Sequence, residues 1–301
     1  MPQFLSTTDA HFEASFAALL SAKREDSPDV DAIVADIIDE VRRDGDAALT
    51  RLTAKFDRLD LTPDRLRVSS DEIAAQIAKV PAEEAAALRL AAVRIRAYHE
   101  RQMPSDHSWQ EPSGAMLGWR WTPVSAAGLY VPGGLASYPS SVLMNALPAK
   151  VAGVPRLAIT VPTPDGTMNP LVFFAAELAG VDEIYRIGGA QAVAALAHGT
   201  QTIAAVDKIT GPGNAYVAAA KRRVFGKVGI DMLAGPSEIL VIADKDNDPA
   251  WIATDLLSQA EHDASAQSIL ITDDARFGQA VAVEGDKQLE TLERRAIAGA
   301  S

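Results

Sequence analysis

Cysteine is absent from the 301 residues. Its absence excludes disulfides, thiolate metal sites and a cysteine nucleophile at once, and it fits a reducing, cytoplasmic compartment. Aromatic residues make up only 6% of the chain, and no uninterrupted apolar run approaches the ~18 residues of a membrane span. Met1-Pro2-Gln3-Phe4 opens without a basic segment leading into an apolar one, so no secretory leader is expected. Basic charge is scarce as well: 28 Lys and Arg stand against 40 Asp and Glu, for a formal net charge of -12. A chain this acidic has no basic face with which to neutralise phosphates. Nucleic acid and anionic membrane surfaces are therefore poor partners, and small molecules are the better expectation.

With 48% hydrophobic and 23% charged residues, the chain can bury a real core, and its length fits two domains better than one. The N-terminal third reads as helical. Ser27 is placed to cap, Pro28 suits a first helical position, and Val30, Ile33, Val34, Ile37, Ile38 and Val41 keep helical spacing until Gly45. A second segment around Leu49, Leu52 and Phe56 and a longer one from Ala82 to about Gln102 continue the pattern. From Met103 to Thr122 the periodicity fails. Pro104, Pro112, Gly114 and Gly118, with Trp109, Trp119 and Trp121, predict an ordered connector containing a hairpin and a domain boundary near its end.

Short apolar strands then alternate with helices: 128–131, 157–161, 183–187, 208–210, 239–243 and 268–272. This alternation predicts a mostly parallel, helix-covered sheet. In such sheets ligands bind at the carboxyl ends of the strands, so the turns that follow each strand are the places to look. There is no internal repeat and no low-complexity tract.

Three of those turns are rich in glycine: Val131-Pro132-Gly133-Gly134, Gly188-Gly189-Ala190-Gln191 and Gly211-Pro212-Gly213-Asn214. Glycine lets backbone approach a phosphate, and the following helix aims its free N–H groups at the same place. None matches the G-x-G-x-x-G fingerprint, since Tyr216 stands where Gly211-x-Gly213 would need a third glycine. Taken singly, each also reads as an ordinary strand-to-helix turn.

Gln259 and His262 lie three apart in a helix expected from about Pro249, which places them on one face. An amide oxygen and an imidazole nitrogen can both ligate zinc, but two donors do not make a site, and on spacing alone the pair reads as helix surface. Asp255, Glu261 and Asp263 add negative charge that would favour a cation, as would any exposed acidic helix. His11, His99, His107 and His198 stand outside any cluster of potential ligands.

Taken in order along the chain, several segments resemble histidinol dehydrogenases. They are Gly128-Leu129-Tyr130-Val131-Pro132-Gly133-Gly134 through Tyr138-Pro139-Ser140-Ser141-Val142-Leu143-Met144-Asn145, Gly188-Gly189-Ala190-Gln191-Ala192, Gly211-Pro212-Gly213-Asn214, Asp231 to Glu238, and Gln259-Ala260-Glu261-His262-Asp263. The resemblance implies an α/β fold of two incomplete Rossmann-like domains, akin to aldehyde dehydrogenases, with a helical N-terminal region. By it the domains are an arm at 1–22, a first domain of 23–126 plus 236–301, and a second, NAD-binding domain of 127–235. It also implies a cytoplasmic homodimer that oxidises L-histidinol to L-histidine through the aldehyde, with NAD as oxidant and zinc bound, at the end of histidine biosynthesis. Carried over by motif, Tyr130, Gln191 and Asn214 contact NAD, Ser237 contacts substrate, and Gln259 and His262 ligate zinc and lie against the substrate.

The missing cysteine agrees with that chemistry, because the adduct that gives up hydride must then come from water, with a general base to take the protons. In the family that base belongs to a glutamate–histidine pair, which the resemblance places beyond Ser301 together with two further metal ligands. The 301-residue chain is therefore expected to be close to inert, since a missing general base alone removes ~10²–10⁴ in rate. Two other readings stay open: a related zinc/NAD dehydrogenase of another small polar alcohol, and a truncated remnant that binds or dimerises without catalysis.

Overall fold

The computed structural model describes residues 2–22, 28–133, 138–233, 235, 237–262 and 266–300. Of the residues named above, Met1, Ser27, Gly134, Asp263 and Ser301 lie outside that set, as do Ala234 and Pro236 of the Asp231 to Glu238 segment. By their contacts the residues divide into two units, Pro28–Ala234, and Met1–Ser27 with Gly235–Ser301. Helix α1 (Phe12–Ala22) belongs to the smaller unit.

The larger unit begins with helices α2 (Pro28–Asp44), α3 (Asp46–Asp57), α4 (Ser70–Ile77) and α5 (Ala82–Glu100). Apolar spacing drives α2, whose Val34, Ile37, Ile38 and Val41 are buried, and Gly45 at φ 58° ends it as its position in the sequence implies. Ser69 and Glu72 form a reciprocal capping box at the start of α4. The irregular stretch that follows contains the expected hairpin: β1 (His107–Gln110) pairs antiparallel with β2 (Met116–Trp119), and the rings of His107, Trp109 and Trp119 cluster on it.

Five parallel strands then build a sheet in the order β5-β4-β3-β6-β7. They are β3 (Ala126–Tyr130), β4 (Arg156–Thr160), β5 (Glu183–Tyr185), β6 (Lys208–Thr210) and β7 (Gly229–Ile230), linked by α6 (Pro139–Val151), α7 (Pro170–Ala179), α8 (Gly189–His198) and α9 (Ala215–Val224). The first two crossovers run outward from β3 on one side, and the third returns the chain to its other side. The strand order reverses between β3 and β6, and that is where a doubly wound sheet opens its ligand crevice.

Strand alternation sorts the side chains into two cores. Leu129, Leu157, Ile159 and Ile184 face a core with Val142, Leu143, Leu147, Phe173 and α5, while Ala126, Tyr130, Tyr185 and Ile209 face one with Leu196, Val217, Val224 and the buried side of α2. Residues 28–100 thus pack on the two faces of this sheet, a grouping that periodicity does not reveal. Both faces are covered, which explains why its strands read as continuous apolar runs rather than alternating ones.

The smaller unit pairs β8 (Glu238–Ile242) with β9 (Gln267–Ile271) in parallel, joined by α10 (Pro249–Ala260), and closes with α11 (Ala275–Leu289) and α12 (Arg295–Ala298). Asp248 caps α10 and Asp274 caps α11 through backbone N–H groups. No helix among the described residues is long and apolar enough to cross a membrane.

Candidate functional site

Tyr130 ends β3, Gln191 lies in the first turn of the helix that follows β5, and Asn214 follows β6. Because these strands are parallel, all three residues stand at the carboxyl end of one sheet. Bonded and packed contacts join their turns. The Gly189 N–H donates to the Tyr130 hydroxyl at 3.2 Å. A Cβ on Gly133 would lie 2.7 Å from the Pro162 carbonyl oxygen, and one on Gly188 would lie 2.5 Å from Pro162 Cβ, so Pro162 wedges between the turns that follow β3 and β5. Gly211 has φ 119°, and its added Cβ would fall 2.1 Å from the Tyr130 carbonyl oxygen. Only glycine fits there, because any side chain would be both strained and in collision with β3.

The side chains differ in exposure. Tyr130 is buried, and burial raises the pKa of its phenol, with the Asp57 carboxylate adding to the effect and the Gly189 N–H opposing it. The hydroxyl therefore stays protonated, and since its oxygen already accepts from Gly189, its hydrogen is available to an acceptor. Gln191 is 2% exposed, although it is polar. Its Oε1 lies over the first residue of α8, only 2.8 Å from where a Gly189 Cβ would stand. Asn214 is exposed and caps α9, its Oδ1 accepting from the Val217 N–H at 3.2 Å.

Several polar atoms near this end are buried without a partner among the described residues. They include Thr160 Oγ1 and Thr210 Oγ1, at the last positions of β4 and β6, Thr163 Oγ1 in the turn after β4, and Asp57 Oδ2 at the end of α3. The Asp57 carboxyl is pushed up by burial, only partly offset by Arg58. Buried polar atoms usually find a partner, so this group marks a place where one is missing.

The other sequence-derived candidates lie in the smaller unit. Ser237 is half-buried just before β8, and its carbonyl accepts from the Gln267 N–H at 3.0 Å. Gln259 is half-buried in the last turn of α10. His262 is exposed and lies two residues beyond the helix, which ends at Ala260 rather than running through the histidine. A closing turn still ties the pair together, with the His262 N–H donating to the Gln259 carbonyl at 3.0 Å. Among the described residues no three His, Cys, Asp or Glu gather into a group that could hold a metal ion. Gln259 and His262 supply two donors where a structural or catalytic zinc takes at least three from protein, so these residues do not by themselves fit the ion.

Lys221 and Asp231 were not singled out from the sequence as site residues. Lys221 is a buried lysine seven residues after Asn214, two helical turns along the same face. A charged residue on the packing side of an Ala-rich helix is the signal that could have found it.

A model of the family described as histidinol dehydrogenase matches residues 20–301. The chain is 75% identical over its whole length to a histidinol dehydrogenase of Ruegeria pomeroyi and 71% identical to one of Cereibacter sphaeroides, spanning 70% and 69% of those proteins. Among solved structures it resembles the histidinol dehydrogenase of Elizabethkingia anophelis, with TM-score 0.82 and 41% identity. That match covers 91% of this chain and 63% of that one.

Proposed function

The chain belongs to the histidinol dehydrogenase family, and on that premise we propose that it carries the dinucleotide-binding part of an NAD-dependent enzyme that oxidises L-histidinol to L-histidine. The observation that carries the reading is the meeting of the Tyr130, Gln191 and Asn214 turns at the switch point of one parallel sheet, with a close backbone approach at Gly211 and unpartnered polar atoms beside it. The α8 and α9 N-termini add free N–H groups and positive dipole ends at the same rim, as a pyrophosphate requires.

When bound, NAD supplies the hydride acceptor for both oxidation steps. The Tyr130 hydroxyl, fixed by the Gly189 N–H and kept protonated by burial, donates one hydrogen bond to the dinucleotide. Gln191 offers its amide from a buried position, and Asn214 contributes the NH₂ left free while its oxygen caps α9. Ser237, Gln259 and His262 enter the proposal as substrate contacts, the last two also as metal donors. These two donors alone do not complete a zinc shell. The family reading assigns the general base outside residues 1–301, and the whole enzyme to a cytoplasmic homodimer.

Purified 301-residue chain should bind NADH, seen as a rise in nicotinamide fluorescence, and lose most of that affinity in Gln191→Ala and Tyr130→Phe. Incubated with histidinol and NAD, it should make no NADH above background. If NADH fails to bind, or binds the variants as well as the wild type, the cofactor site is misplaced. Robust turnover would show that the base lies within these residues.

A further inference from the structure

The turn that carries Asn214 rests on a charge pair, a buried lysine with a partly exposed aspartate, that has no part in the reading above. Lys221 points inward from α9 with its side chain 5% exposed, and its ammonium forms an ion pair with Asp231. The same ammonium donates to the Gly211 carbonyl at 3.1 Å. Asp231, just past β7, accepts from the Gly211 N–H through Oδ2 at 2.8 Å and from the Met232 N–H through Oδ1 at 2.7 Å. Both backbone polar groups of Gly211 are therefore held by one lysine–aspartate pair. Gly211 is also the residue whose φ of 119° and contact with the Tyr130 carbonyl set the path of the turn.

Two alternatives are disfavoured by this geometry. Lys221 is not a free cation waiting for phosphate, because Asp231 neutralises it and its exposed surface is small. The pair is not a simple packing device either, since it spends its hydrogen bonds on turn backbone rather than on each other alone. A turn with positive φ and glycine at its first and third positions has many accessible conformations, and external hydrogen bonds select one of them.

We propose that Lys221 and Asp231 are positioning residues that hold the Gly211–Asn214 turn in the one shape in which its backbone and the Asn214 amide receive the dinucleotide. This rests on the cofactor reading above. Loss of the lysine frees the Gly211 carbonyl and leaves Asp231 without its counter-ion, so the turn samples other shapes and binding falls.

The test uses the 301-residue chain, with NADH as the probe. Lys221→Met should weaken NADH binding by about tenfold or more, the size expected for losing a charge-assisted hydrogen bond. It should also speed amide hydrogen exchange in residues 211–214 while leaving strands β3 and β4 as protected as before. Lys221→Met combined with Asp231→Asn removes the stranded carboxylate, so thermal stability should recover while NADH affinity stays low. Unchanged affinity and exchange in Lys221→Met would overturn the proposal, as would recovery of affinity along with stability in the double variant, which would mark the pair as structural only. A wild-type chain that does not bind NADH would instead remove the cofactor reading, and this inference with it.

Discussion

Glu72 links local structure to the site by way of one ion pair. Its carboxylate receives the Arg186 guanidinium at 2.6 Å and the Ser69 N–H and hydroxyl at 3.0 Å each, and these, Arg186 foremost, lower its pKa to about 2. Arg186 follows β5 and leads into the Gly188-Gly189 turn, and its own N–H donates to the Leu66 carbonyl at 2.9 Å. The pair therefore anchors the entry to that turn on the helical layer. Because the folded carboxyl ionises below its unfolded value of 4.5, its contribution is fully present above about pH 4.5 and fades as pH falls toward 2. Glu72→Gln can keep the capping box through its amide oxygen while losing the charge. We expect it to cost ~1–2 kcal/mol at pH 7, a figure discounted for the one-third exposure of the side chain, and almost nothing near pH 2. Urea denaturation at the two pH values reads this directly, and a pH-independent difference would show that the carboxylate acts through shape alone.

The helices and strands themselves were largely legible, for physical reasons. Strands of a sheet covered on both faces must be apolar throughout, so 157–161 and 208–210 stood out, and the observed elements, Arg156–Thr160 and Lys208–Thr210, differ by a residue at most. Strand β7 was not legible, because Gly229–Ile230 is two residues long and owes its existence to pairing with β6 rather than to its own pattern. The end of α10 at Ala260 was not legible although its start at Pro249 was, because nothing in Gln259-Ala260-Glu261-His262 breaks a helix by composition. Asn214 shows how an element can hide a second role. Its side chain accepts from Val217 and caps α9, so Asn214→Ala should lose ~1 kcal/mol of stability together with cofactor contact. Asn214→Asp should keep the cap while placing a negative charge where a pyrophosphate is expected. Thermal melts set beside NADH titrations separate the two roles, and an Asn214→Asp variant that keeps both stability and NADH affinity would mean that the cap is all Asn214 provides.

At the scale of the whole molecule, the candidate site was legible in part. The three glycine turns could be ranked by the strands before them, yet their meeting depends on strand order, and a sequence does not state that β3 lies between β4 and β6. The Lys221–Asp231 contact was hidden for the same reason, since it joins α9 to the end of an edge strand. The two units also differ in how well they are consolidated. Residues 28–234 close two large cores on opposite faces of a five-stranded sheet. Residues 235–300 close one small core around Ile252, Ala253, Phe277 and Val281 under a two-stranded sheet, with Leu240, Ile242, Trp251 and Ile271 more than half exposed. Burial of apolar area is the main source of stability, so the smaller unit should open at lower denaturant than the larger one. Hydrogen exchange in graded urea should show β8 and β9 amides losing protection first, with β3, β4 and β6 following in a later, separate transition. All candidate dinucleotide contacts and both positioning residues lie within 28–234. That segment expressed alone should stay folded and bind NADH as the 301-residue chain does. Simultaneous unfolding of all five strands with β8 and β9, or an isolated segment that neither folds nor binds, would show that its stability depends on the residues outside it.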